Sequence, residues 1–296
     1  MLSYFQAIVI GILQGVTELF PISSLGHSVL VPAWLGWDKI VNAQSANESF
    51  YLAFVVALHV ATALALLWYF RRDWVAIIRG FFRTLRTKKL EKPDERLAWL
   101  LIVATIPAGL TGIALEHALR TLFAKPLAAA IFLTINGVIL LVGERVRRQR
   151  ATREIIATHA TARSETEVGR RLDTLDFKEA GAVGVAQIGA LFAGISRSGI
   201  TMVAGLVRGL DHEDAARFSF LLATPIILAA GVYKVPDLAG HLGDGVRGQA
   251  FVGAVFAGLS AYVAVRFLMR FFETRNLMPF AIYCLVVGGA SIIRFA

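Results

Sequence analysis

The segment Gly11–His27, GILQGVTELFPISSLGH, and its counterpart Gly184–Gly199, GVAQIGALFAGISRSG, decide how this chain folds. Each starts as an apolar helix, runs into a Gly/Ser-rich break and resumes as a shorter apolar piece. The blocks containing them, 1–36 and 180–209, align without gaps at an offset of 173. Ala7, Gly11, Gln14, Ile22, Ser23, Gly26 and Gly36 match Ala180, Gly184, Gln187, Ile195, Ser196, Gly199 and Gly209. Gln, Ser and Gly thus recur at one spacing in both halves of the chain.

Around these segments the sequence is that of a membrane protein. Of the 296 residues 56% are hydrophobic and 17% charged, where an ordinary soluble domain is nearer a quarter charged. Met1–Thr17, Leu97–Leu115, Pro126–Gly143, Ala180–Ser196, Gly248–Val265 and Asn276–Ile293 contain no Asp, Glu, Lys or Arg. Tyr51–Phe70 has only His59, and Phe218–Tyr233 is bracketed by Arg217 and Lys234. Crossing a bilayer takes roughly 20 mostly apolar residues in a helix. A soluble bundle would show amphipathic stripes, which these blocks lack. Met1–Thr17 has neither a basic n-region nor a small-residue cleavage site, so it is expected to be retained. Cys284, the only cysteine, allows no intramolecular disulfide and is expected to face lipid or fill packing space.

Charge sets the topology. The net charge of +9 sits mainly in Arg71–Arg96 and Arg145–Lys178, with nine Lys/Arg each. The positive-inside rule explains both clusters more simply than nucleic-acid binding does, and no nucleic-acid partner is expected. Arg71–Arg86, where Trp74, Ile77, Ile78, Phe81 and Phe82 lie among basic residues, looks interfacial. With both clusters cytoplasmic, six blocks cross the membrane, and each glycine/serine-broken block must leave on the side it entered. The expected fold is an all-α polytopic membrane protein: six transmembrane helices plus two re-entrant helical hairpins in an inverted-topology repeat. Residues 1–143 form the first repeat, 144–178 a basic cytoplasmic linker and 179–296 the second repeat. Many transporters are built this way, with the site near the midplane.

Polar groups inside the membrane are costly and usually functional. The first hairpin carries Gln14, Thr17, Glu18, Ser23, Ser24 and His27. Gln14 and Glu18 share a helix face at i,i+4, and Pro21 stops that helix. A lone carboxylate here calls for a metal or a proton. The second hairpin carries Gly194, Ser196, Arg197, Ser198, Gly199 and Thr201. Its Gly-flanked turn, a helix starting near Gly199, three hydroxyls and a guanidinium suit an anion such as phosphate. His59 and Asn136 are each read either as cavity-lining or as structural. His117, His159, His212 and His241 are read as loop residues with little signal.

These residues resemble a known family, the undecaprenyl-diphosphate phosphatases associated with bacitracin resistance. Gln14, Glu18, Pro21, Ser23, Ser24, Gly26 and His27 match its first motif, and Gly194, Ser196, Arg197, Ser198, Gly199 and Thr201 its second. Leu25 stands where Ser or Thr is common, and Ala193 where Pro is usual. The resemblance implies hydrolysis of undecaprenyl diphosphate at the outer face of the bacterial inner membrane, with a divalent cation, Mg²⁺ or Ca²⁺. On that expectation Arg197, Ser196, Ser198, Thr201, Ser23 and the turn glycines surround the diphosphate, and Glu18 with Gln14 holds the cation. Ser24 is the expected nucleophile and His27 the acid/base. His27 as nucleophile, or direct attack by metal-bound water, stays open. The competing class is a transporter of polyprenyl phosphate or another anion. A homodimer is left open.

Overall fold

The computed structural model describes residues 2–37, 40, 50–123, 125–158, 169–240 and 245–296. Apart from one backbone bridge, Arg170 to Leu210, its regular structure there is helical. Five helices are long and apolar enough to cross a membrane: Pro93–Leu115, Pro126–Thr152, His212–Val232, Arg247–Thr274 and Met278–Phe295. A sixth is added if the bent pair Phe54–Tyr69 and Arg71–Thr87 is counted as one span. The chain is an all-α, multi-pass membrane protein.

Helix α1 (Tyr4–Leu19) opens with a capping box: the Ser3 hydroxyl accepts from the Gln6 N–H, and the Gln6 side chain accepts from the Ser3 N–H. It stops one residue before Phe20–Pro21, where proline removes a donor. At 1.5 Å per residue its 16 residues reach about 24 Å, short of the roughly 30 Å hydrocarbon core. After a turn, α2 (Ser24–Trp34) resumes. α3 (Phe50–Tyr69) then meets α4 (Arg71–Thr87) at a bend of 85°. α4 turns Ile77, Gly80 and Thr84 inward and leaves Val75, Ile78, Phe82 and Leu85 exposed among its arginines. That is the form of a helix lying along the membrane surface.

α5 (Pro93–Phe123) and α6 (Pro126–Thr158) follow. The polar stretch after Gly143, read as linker, is therefore helical as far as Thr158. α7 (Phe177–Gln187) begins with a second capping box, between Asp176 and Glu179. Arg170 binds Glu179 at 2.8 Å and holds its carboxyl below the usual range. A short 3₁₀ turn, Ile188–Leu191, leads to α8 (Arg197–Val207), α9 (His212–Ala239), α10 (Arg247–Thr274) and α11 (Met278–Phe295).

The two broken segments pack on each other's half of the chain. α1 lies along α10, and α7 lies along α5. Both contacts depend on glycine, because a Cβ on Gly11 would strike the backbone of Gly253 and one on Gly184 the backbone of Ala104. Gly11 and Gly184 occupy the same position in the 173-residue alignment.

Candidate active site

The breaks after α1 and before α8 meet inside the bundle. Ser23 holds a left-handed backbone, φ 69°, a conformation costly for a residue with a Cβ. That conformation lets its hydroxyl accept from the Gly26 N–H (3.2 Å) and from the Gly194 N–H of the other break (3.1 Å). Gly194 has φ 116°, and a Cβ there would collide with the backbone of Ala129 and Leu133 on α6. A Cβ on Gly26 would lie only 2.9 Å from Gly194 Cα, so the two turns touch backbone to backbone.

Asn136 on α6 ties both turns together. Its Nδ2 donates to the Pro21 carbonyl at 2.9 Å, and its Oδ1 accepts from the Ser196 N–H at 2.9 Å. Nδ2 also lies 3.3 Å from the sulfur of Cys284, which is buried packing material and does not face lipid.

Glu18, only 6% exposed, is the centre of this junction. Its Oε2 accepts from the Ser24 hydroxyl at 2.5 Å and from Gln14 Nε2 at 3.1 Å. His59 Nε2 on α3 lies 3.2 Å from the same oxygen. Oε1 accepts from Arg197 at 2.8 Å, across from the other half of the chain. A carboxylate offers about four acceptor sites, and four side chains have converged on this one.

The remaining expected site residues are placed differently from one another. α8 starts at Arg197 instead of near Gly199, because the Ser196 hydroxyl caps it by accepting from the Gly199 N–H at 3.1 Å. The Ser196 and Ser198 hydroxyls bond each other at 2.9 Å, and Ser198 also donates to the Phe20 carbonyl at 3.1 Å. Thr201 bonds the Arg197 carbonyl and the Ser219 hydroxyl, each at 2.7 Å. His27 Nδ1 donates to the Ser23 carbonyl at 2.7 Å, while Nε2 meets the Tyr283 hydroxyl at 2.8 Å. Its ring stacks on Tyr283. Among the described residues no hydrogen bond joins His27 to Ser24 or Glu18. The group on the Ser24 hydroxyl is Glu18.

Two of the residues left between a structural and a site reading, His59 and Asn136, are thus at the junction. Tyr283 and Ser219 also belong to it and carry no signal in the sequence. His212 is a correction: it is fully buried at the start of α9, with Nε2 2.9 Å from Glu144 Oε2. His159, His241 and the side chain of His117 lie outside the described residues.

Chemically, the junction pairs a hydroxyl with a buried carboxylate and sets a guanidinium opposite. Oriented nucleophiles are built in this way, with the nucleophile on a base and the base held by a third group. Among the described residues no group of three or more His, Cys, Asp or Glu comes together as a closed metal cage.

Comparison with known proteins agrees along the whole chain. Residues 7–290 match the family model described as bacitracin resistance protein BacA. A Frankia alni protein named undecaprenyl-diphosphatase 2 is 56% identical over 338 residues, covering 100% of this chain and 98% of its own length. The undecaprenyl-diphosphatase of Mycolicibacterium paratuberculosis is 57% identical over 302 residues, with coverage of 100% and 98%. The undecaprenyl-diphosphatase 2 of Burkholderia ambifaria is 47% identical over 288 residues, with coverage of 97% and 95%.

Proposed function

This chain belongs to the BacA bacitracin-resistance family, and from that premise we propose that it is an integral membrane phosphatase. It hydrolyses undecaprenyl diphosphate to undecaprenyl phosphate and inorganic phosphate, recycling the lipid carrier of cell-wall synthesis. The observation that carries this reading is Ser24 donating to Glu18 at 2.5 Å while Arg197 reaches the same carboxylate from the opposite turn at 2.8 Å.

The reaction follows from that geometry. Arg197 swings part of its guanidinium from Glu18 to the diphosphate, a bidentate match. Ser24 Oγ attacks the terminal phosphorus, its proton passes to Glu18, and the bridging P–O bond breaks to release undecaprenyl phosphate. Water then attacks the phosphoserine, Glu18 returns its proton to Ser24 Oγ, and inorganic phosphate leaves. His27, held between Ser23 and Tyr283, shapes the first turn. Ser23, Ser196, Ser198, Thr201 and the glycines at 194 and 199 hold the two turns in register around the substrate.

A divalent cation, Mg²⁺ or Ca²⁺, would be held by Glu18 and Gln14. Glu18 supplies a single carboxylate and Gln14 a carbonyl oxygen. Magnesium typically takes one or two carboxylates plus substrate phosphates. When bound, it would neutralise phosphate charge.

The reading extends to topology: opposed hairpins in an inverted repeat, cytoplasmic basic segments and a site open to the cell exterior. The crossed packing of α1 on α10 and of α7 on α5 supports the repeat. Phosphate release from undecaprenyl diphosphate by purified protein in detergent, with and without chelator, is the test. A protein that releases none there, yet moves polyprenyl phosphate across vesicles, is a transporter.

A further inference from the structure

We propose that His59 is a positioning residue of the reaction: it holds Glu18 with Oε2 aimed at Ser24 when Arg197 turns to the diphosphate. This rests on the reading of Ser24 and Glu18 as the reacting pair. Four observations lead to it.

First, the ring of His59 is anchored at one end and directed at the other. Nδ1 donates to the carbonyl of Val55 one turn back on α3 at 2.8 Å, which fixes the ring plane. Nε2 is then left pointing at Glu18 Oε2, 3.2 Å away. Second, the oxygen it faces is the one that receives the Ser24 hydroxyl, whereas Arg197 binds the other. His59 and Arg197 therefore have separate tasks on a single carboxylate.

Third, a bound diphosphate would divide Arg197 between phosphate and Glu18. Its other contact, with the Ser219 carbonyl, is long at 3.4 Å, so Glu18 is its principal anchor. As the guanidinium is drawn toward phosphate, that anchor on Glu18 weakens in a buried site. Gln14, on the same helix as Glu18, and Ser24, the group about to react, are the other partners. His59 is the one that comes from a separate, continuous helix and takes no part in bond making.

Fourth, its side chain is 18% exposed where that of Glu18 is 5%. It borders the junction from the α3 side and leaves Glu18 the more deeply buried of the two.

The experiment separates the two ends of the ring. Asn at position 59 places its amide where Nδ1 was and keeps the Val55 bond. Gln places its amide where Nε2 was and keeps the Glu18 bond. Full-length wild type, His59→Gln and His59→Asn are purified in detergent and assayed for phosphate release from undecaprenyl diphosphate. Each is also titrated with the methylene-bridged diphosphonate analogue of farnesyl diphosphate. Wild type must turn over; if it does not, the phosphatase reading itself falls, whatever the variants do. With wild type active, His59→Gln is expected within about threefold of its kcat. His59→Asn should lose about 10–100-fold in kcat, the scale seen when a supporting hydrogen bond is removed. KM and analogue affinity stay near wild type in both.

Equal losses in the two variants, or full kcat in His59→Asn, overturn the proposal. So does a loss confined to KM. An Asn variant that no longer binds the analogue also counts against it, because the ring would then be holding the turns together.

Discussion

Among the described residues are two Glu–His pairs of nearly the same length, Glu18–His59 at 3.2 Å and Glu144–His212 at 2.9 Å. Their neighbours differ. Glu144 also accepts from the backbone N–H of Leu277 and lies 3.5 Å from Arg148, one helical turn along α6. The His212 side chain is 0% exposed, and among the described residues its Nδ1 has no hydrogen-bond partner. Everything around that pair belongs to packing, and it clamps α6, the start of α9 and the α10–α11 turn. Around Glu18 the neighbours are a hydroxyl that can be deprotonated, an arginine that can be shared and a histidine at the rim. A buried carboxylate facing an imidazole is common to both sites. What separates them is whether the partners can be taken over by a ligand.

That contrast is most open to attack at Arg197. Arg197→Ala removes the phosphate ligand and leaves Glu18 without its opposing charge. It should cut phosphate release by about 10³-fold or more, the scale of a phosphoryl-transfer arginine; residual turnover near wild type would show that the junction is merely another clamp. Ser24→Ala comes next, with a loss on the order of 10³-fold if its oxygen attacks phosphorus. Full activity in the purified Ala variant would leave His27 or water as nucleophile.

The second pair should answer in the opposite currency. Glu144→Ala leaves the buried His212 without its carboxylate partner, and an unsatisfied buried polar group costs about 1–3 kcal/mol of stability. Thermal unfolding in detergent should move down clearly while kcat of the folded protein holds. Smallest of all, Tyr283→Phe removes one hydrogen bond to His27, about 1 kcal/mol or roughly fivefold in turnover at most. A far larger loss, read in the same phosphate-release assay, would assign the imidazole a direct part in the chemistry.

Much of this was legible in the sequence for one reason: charged and polar side chains stand out in apolar helices. Glu18, Ser24 and Arg197 were picked on that ground, and the structure brings all three together. His59 was half-legible, since one histidine in a charge-free helix has no visible partner; Glu18 lies 41 positions earlier in the chain (59 − 18). Tyr283 and Ser219 were invisible because hydroxyls are ordinary at helix–helix contacts. The assignment of His27 to Ser24 came from spacing, whereas packing turned its ring toward α11. His212 was misread because a histidine beside Asp211 and Glu213 looks solvent-facing, and Glu144 waits on another helix. The start of α8 was missed by two residues because the Ser196 cap competes with the Gly-rich run behind it.

The backbone contact between Gly26 and Gly194 has a consequence outside catalysis. Helices as short as α1 and α8 do not span a bilayer singly, so the two halves of the chain depend on the place where their turns meet. The two glycines lie in contact there, and the Ser23 hydroxyl accepts from the N–H of each. A methyl group at Gly26 would press on the Gly194 backbone and push the turns apart, and one at Gly194 would strike α6. One added methyl would thus part the two halves of the chain, and a lowered unfolding temperature of Gly26→Ala in detergent would register it.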